Sequence, residues 1–143
     1  MKFRAAILGA ALLMTACSSM PPVPIAVGDV CFRCRRVIAD TAMAAEIIDH
    51  EGRAYKFRTT GCMAKFLKAN PTDVAVVYVT DFRTRKMVEA DSAVFVPTVI
   101  VEGYKKTTDY MAFRNDDAAR DAAARENSTP TDWKSVLASA TPD

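Results

Sequence analysis

The chain predicts an α+β fold made of two loosely repeated ββαβ-like units, with a Cys-x-x-Cys turn at the start. Two short alternating stretches flank a turn signal at Asp49-His50-Glu51-Gly52 and lead into an apolar-periodic segment after Thr59. A dense β-branched run, Val74 to Thr80, follows it. The order strand, strand, helix and short element then recurs in the second half, without a residue-level repeat.

Each element has a local reason. Ala42 to Asp49 and Arg53 to Arg58 read as strands, and Gly52 supplies positive φ where the hairpin needs it. Tyr55 and Phe57 alternate with Lys56 and Arg58, so one face is buried. Thr59 or Thr60 can cap a helix running through Lys68, with Met63, Phe66 and Leu67 at core spacing and Asn70-Pro71 as its stop. Val74 to Thr80 is apolar enough for a buried strand. Lys86 to Glu89 reads as a short strand, Ala93 to Glu102 as a longer one bent at Pro97, and Tyr110 to Arg114 as another. Asp116 to Glu126 is an Ala-rich helix with acidic residues in its first turn, and Asp132 caps a last turn or two carrying Trp133 and Leu137.

The N-terminus is different in kind. Lys2 and Arg4 precede an apolar run from Ala5 to Leu13, and Met14-Thr15-Ala16-Cys17 supplies a small-residue cleavage site. The run is too short to span a bilayer, which needs roughly twenty apolar residues. A cysteine directly after Ala16 resembles a bacterial lipoprotein signal, which implies cleavage after residue 16 and acylation of Cys17. Several acyl chains would hold the protein at a membrane, since each buried CH₂ contributes about 0.8 kcal/mol. Ser18 in place of Asp fits the outer rather than the inner membrane. The expected organisation is a signal over 1–16, a Pro-rich, unfolded tether over 17–28, one domain over 29–138 and a tail over 139–143. Of the 19 basic residues, Lys2 and Arg4 leave with the signal, which equalises them with the 17 acidic ones. No basic excess remains for nucleic acid.

The chemistry lies in cysteines. Cys31-Phe32-Arg33-Cys34 is a Cys-x-x-Cys turn, and Cys62 opens the helix after the hairpin, an arrangement that can bring distant thiolates onto one ion. Thiolates and thioethers suit Cu(I), which accepts low coordination numbers, whereas structural Zn²⁺ normally takes four Cys or His ligands. Met63 or Met43 could add a thioether. On a helix, however, Met63 points about 100 degrees from Cys62, so its competing role is core packing. Met111 has the same two readings. His50 would complete a Cys₃His zinc set, but it lies in a turn where exposed polar residues are common. Arg33, Arg35 and Arg36 around the pair raise thiolate content, repel an incoming cation, and could dock an acidic partner.

Cys31-x-x-Cys34, the hairpin ending Tyr55-Lys56-Phe57, the segment Gly61-Cys62-Met63-Ala64-Lys65-Phe66-Leu67, the strand Val77-Tyr78-Val79-Thr80-Asp81-Phe82, and Ala112-Phe113 before a helix together resemble the NosL family. These are the copper-binding accessory lipoproteins of nitrous oxide reductase assembly. The resemblance covers most of residues 29 to 138. It implies two related ββαβ-type units, a lipid-anchored periplasmic location, and Cu(I) bound for delivery to an apo-cuproenzyme. Carried onto this chain, the expected ligands are Cys31, Cys34, Cys62 and Met63. The chain departs from the family in having Arg35-Arg36 after Cys34, where Gly-Met is common, and Lys106 near a position where a Met is usual.

Other readings remain open. Cys31 and Cys34 could form a structural disulfide in an oxidising periplasm, leaving an interaction module without metal, or could serve a thiol-disulfide redox protein. With one His and no Gly-rich phosphate loop, the sequence carries no hydrolase or kinase constellation, and an enzyme is not expected.

Overall fold

In a computed structural model describing residues 20–70 and 73–142, β1 (Ala45–Asp49) and β2 (Ala54–Phe57) form the hairpin ahead of α1 (Thr60–Ala69) and β3 (Val74–Thr80). There follow β4 (Met87–Glu89), a 3-10 turn (Ala90–Ser92), β5 (Val94–Glu102), β6 (Lys105–Phe113), α2 (Asp116–Glu126) and α3 (Trp133–Ser139). The signal segment and Cys17 lie outside the described residues. No helix among the described residues is long and apolar enough to cross a membrane.

One antiparallel sheet has the order β2-β1-β3-β4 and the other is the β5-β6 pair. The first unit is therefore ββαβ. In the second, α2 is followed by Thr131, which makes a single antiparallel bridge with Phe95 of β5. Thr131 stands beside β5 as β3 stands beside β1, so the closing strand of the second unit is reduced to one bridge. A parallel bridge between Asp81 and Ala112 joins the sheets, with the Phe82 N–H donating to the Ala112 carbonyl at 2.8 Å.

The β5-β6 hairpin divides the interior because its residues alternate between two faces. Phe95 and Ala112 face a core shared with Ile47, Phe57, Met63, Val79 and Trp133. Val96, Met111 and Phe113 face the other way and are covered by Ala118, Ala119, Ala122 and Ala123 of α2. Alanine on that helix face lets α2 lie close to the hairpin. β6 begins five residues earlier than the expected Tyr110, since its polar first half is held by cross-strand pairing with β5 rather than by burial.

The segment expected as an unfolded tether is extended but docked over its described part. Lys56, Glu46 and Tyr78 form one row across β2, β1 and β3. The Lys56 ammonium donates to the Pro24 carbonyl at 2.8 Å, Glu46 Oε1 accepts from the Val23 N–H at 2.8 Å, and the Tyr78 hydroxyl donates to the Met20 carbonyl at 2.6 Å. Residues 20–24 thus strap the sheet face opposite the main core. Glu46 is fully buried beneath the strap, and its Oε2 has no hydrogen-bond partner.

Burial pushes the Glu46 carboxyl above its ordinary value. A raised carboxyl favours the folded state most below the ordinary Glu range, and that contribution is lost as pH rises through the raised value. Glu46→Gln keeps an acceptor for Val23 and removes the ionisation. Between about pH 4 and pH 8 the variant should therefore gain stability relative to the parent by on the order of 1 kcal/mol, read from paired denaturant titrations. A parent-variant difference that stays constant with pH would count against ionisation of Glu46 as the cause.

Candidate metal-binding site

The cysteine turn is built before any metal enters. Val30 and Val37 bridge at its base, the Cys31 N–H donates to the Arg36 carbonyl at 2.9 Å, and the Arg35 N–H returns to the Cys31 carbonyl at 3.0 Å. Phe32 anchors the turn to the domain. Its N–H donates to the Lys56 carbonyl at 2.7 Å, and its ring meets Tyr55 and Phe66 edge-on at centroid distances of 4.9 and 5.4 Å. Arg35 closes the turn at φ 60°, a left-handed conformation that glycine adopts freely and a side chain resists.

Cys62 arrives from the other side, in the first turn of α1. Thr59 is the N-cap, and its hydroxyl accepts from the Cys62 N–H at 3.1 Å. The Asp109 carboxylate of β6 accepts from the Gly61 N–H at 2.8 Å and from the Tyr110 N–H at 2.8 Å. A Cβ on Gly61 would lie 2.9 Å from that carboxylate, so glycine permits the approach. Burial raises the Asp109 carboxyl above the usual range, against the lowering by its hydrogen bonds.

The two arrivals place the sulfurs of Cys31, Cys34 and Cys62 within 4.8 Å of one another, close enough to share one metal ion. All three are free thiols; Cys31 and Cys62 are buried and Cys34 is half-buried. The Cys31 and Cys62 sulfurs lie 3.5 Å apart. A hydrogen bond from the Cys62 thiol, aided by the backbone N–H groups of Cys34 and Arg58, draws the Cys31 thiol well below its ordinary value. The same hydrogen bond, together with burial, pushes Cys62 up despite the Arg33 guanidinium 3.7 Å from its sulfur. Arg58 faces Cys34. The pair is therefore arranged to hold one negative charge, favoured on Cys31, with the Arg33 and Arg58 guanidinium groups beside it.

Cys34 and Cys62 form part of the wall of a cleft of about 330 Å³ that also includes Asp109 and the β5-β6 hairpin. Of the other candidates, Met63 lies in the core beside the cysteines and the rest lie elsewhere. Met63 is fully buried in the core cluster that includes Cys31 and Cys62. Met43 and Met111 pack in the second core, across the β5-β6 hairpin. His50 is exposed at the hairpin tip, with Nδ1 2.6 Å from an Asp73 oxygen, and is not gathered with the three thiols. The alternative Cys₃His arrangement is not formed among the described residues, because the tip lies at the far end of the strands from Phe57 and the cysteine turn. Sequence reasoning missed Asp109 and Arg58, whose roles depend on partners distant in sequence.

The geometry makes two expectations checkable. Arg35→Gly should raise stability by about 1 kcal/mol through relief at positive φ, as measured by denaturant titration; a loss would mean that the Arg35 side chain offsets its backbone cost. Gly61→Ala should lower it by about 1–3 kcal/mol, because either α1 or Asp109 must move, and should change the alkylation rate of Cys62. An unaltered rate with unaltered stability would show that the close approach imposes no constraint.

Comparisons with known proteins place this architecture. No protein-family model matches the chain, and no curated protein matches it. The crystal structure of the copper chaperone NosL from Shewanella denitrificans superposes with a TM-score of 0.67 at 17% identity, over 81% of this chain and 95% of that one. The chain therefore has the fold of that protein, with three free thiols gathered beside a cleft.

Proposed function

We propose that this chain is a Cu(I)-binding accessory protein, anchored through acylated Cys17 at the periplasmic face of the outer membrane, that delivers copper to an apo-cuproenzyme such as nitrous oxide reductase. The observation that carries the copper reading is the gathering of three thiol sulfurs within 4.8 Å. A soft, low-coordinate ion suits three sulfurs without a nearby imidazole, whereas zinc normally adds a fourth Cys or His. The shared fold of a copper chaperone supports the same reading. The lipid anchor rests on the signal ending at Ala16-Cys17.

Cys31, Cys34 and Cys62 hold the ion in this reading. The Cys31 and Cys62 sulfurs share a proton, which must leave for both to ligate, so copper capture is coupled to proton release at neutral pH. Three thiolates and one Cu(I) make a dianion, and Arg33 and Arg58 stand where they offset it. Cys34 is the most exposed thiol and faces the cleft, so it is the ligand that a copper acceptor reaches first. Met63 follows Cys62 on α1 and points about 100 degrees away from it, which supports packing over ligation of the two roles that its sequence position leaves open. The disulfide and redox alternatives have less support: all three cysteines are free thiols, and Cys31, the first cysteine of the turn, is fully buried where an exchange partner does not reach it.

Competition of the reduced protein against a Cu(I) chelator should show one Cu(I) bound far more tightly than Zn²⁺. Cys62→Ser should weaken that binding at least about tenfold, near 1.4 kcal/mol. Met63→Leu and His50→Ala should each stay within about threefold of the parent. Zinc outcompeting copper, or unchanged copper affinity in Cys62→Ser, would refute the proposed site. Copper affinity should also rise with pH between about 6 and 8, with proton release measured in weakly buffered solution, because the proton shared by Cys31 and Cys62 opposes binding. A pH-independent affinity would mean that no thiol gives up its proton on binding. Fatty-acid labelling of cells should tag the parent and not Cys17→Ser; an untagged, freely soluble parent would remove the anchor.

A further inference from the structure

We infer that the cleft beside the thiols docks an acidic segment of the protein that exchanges copper with this one. The inference takes the copper-transfer reading as the purpose of docking, while the docking itself depends only on the cleft. Arg33, Arg36, Arg58, Lys65 and Lys105 line this cleft against the carboxylates of Glu102 and Asp109. Arg36 and Arg58 both converge on Glu102, from the cysteine turn and from the residue after β2. The Nε of Arg58 is buried without a partner, so that guanidinium retains an unused donor. Asp109 is occupied by the amides of Gly61 and Tyr110, and burial favours its neutral form, so it offsets the cations weakly.

The sign of this lining matters for a copper site. A surplus of cations repels a free metal cation, so the cleft favours copper that arrives or leaves on a ligand carrying negative charge. Any acceptor must reach Cys34 and Cys62 through this opening, since Cys31 is closed off behind them. A protein segment is the occupant for two reasons. The cleft is walled on one side by Lys105, Thr107 and Thr108 of the projecting β5-β6 hairpin, giving an extended chain a strand to lie along. Ile100 of β5, half-buried, also lines the cleft and offers apolar contact among the charges. Apolar contact beside arginines suits a macromolecular interface better than a small-ion site.

Docking can be read on the copper-free, reduced mature chain. The probes are two fluorescein-labelled decapeptides with the same central methionine, one flanked by glutamates and the other by lysines, followed by fluorescence anisotropy at low and high salt. The glutamate peptide should bind at least about tenfold more tightly than the lysine peptide, with the preference collapsing at high salt, where the Debye length falls to about 3 Å. Lys65→Glu with Lys105→Glu should remove the preference, and Lys65→Gln with Lys105→Gln should reduce it. Arg120→Glu with Lys134→Glu makes the same change in net charge on α2 and α3, outside the cleft, and should leave most of the preference in place. Equal binding of the two peptides, or an equal loss in the α2 and α3 variant, would overturn the inference. Chelator competition on the same proteins reports separately on the proposed function: copper affinity should stay within about threefold in the Lys65 and Lys105 variants. A parent that binds no Cu(I) would sink the copper reading, while the peptide result would still decide the docking.

Discussion

The carboxylate of Asp109 against the amide of Gly61 is the contact on which the site depends. It joins β6, from the second unit, to the first turn of α1, from the first unit, at a separation of 48 residues. A helix N-terminus offers unpaired N–H groups and favours negative charge, so a carboxylate there satisfies donors that would otherwise be buried and unpaired. Thr59 takes the next N–H in the same turn. Between them they fix the position from which Cys62 projects toward Cys31. Glycine at 61 is the geometric condition for this arrangement, because a methyl group there would occupy the space of the carboxylate.

That arrangement also explains how thiol chemistry is divided within the cluster. The Gly61 and Cys62 N–H groups at the helix terminus are already taken by Asp109 and Thr59, so they are less available to a thiolate on Cys62. The proton accordingly remains on Cys62, while the negative charge resides on Cys31, where the N–H groups of Cys34 and Arg58 meet it. The Cys31–Cys62 pair is therefore prepared with one charge rather than two, which limits the repulsion that two thiolates 3.5 Å apart would suffer without an ion. The arginines stand on the open side, where added negative charge would develop when the remaining thiols ionise.

Much of the fold was legible in local signals. The caps at Thr59 and Asp132, the Gly52 turn at φ 82°, the bounds of α2 and the strand Val74–Thr80, buried over its last three residues, all follow from residues adjacent in the chain. The three cysteines were legible as one cluster because a Cys-x-x-Cys turn and a cysteine at a helix start leave few ways to bury the sulfurs separately. What escaped was non-local. Lys105 to Asp109 has no apolar period, yet β5 holds it as a strand through register alone. Glu46 sits in an apolar strand as an apparent exception to alternation, and only the strap folded over it accounts for its burial. Proline-rich sequence signals extension correctly but says nothing about whether an extended segment finds carbonyl and amide partners on a sheet.

Arg35 shows how a departure in sequence and a demand of the backbone can be separated. The turn after Cys34 needs φ near 60° at that residue for the Arg35 N–H to reach the Cys31 carbonyl. Glycine, the residue that the NosL resemblance leads one to expect there, meets this demand without strain; arginine meets it at a cost of roughly 1–2 kcal/mol. The turn nevertheless keeps its form, because its anchors lie elsewhere: the Val30–Val37 bridge, the Phe32 N–H on β2, and the Phe32 ring between Tyr55 and Phe66. The position can therefore exchange glycine for a cation while the sulfur geometry survives. Such an exchange changes the charge beside the site without changing the scaffold that gathers the thiols, which is how a common fold can present a different electrostatic face to a partner.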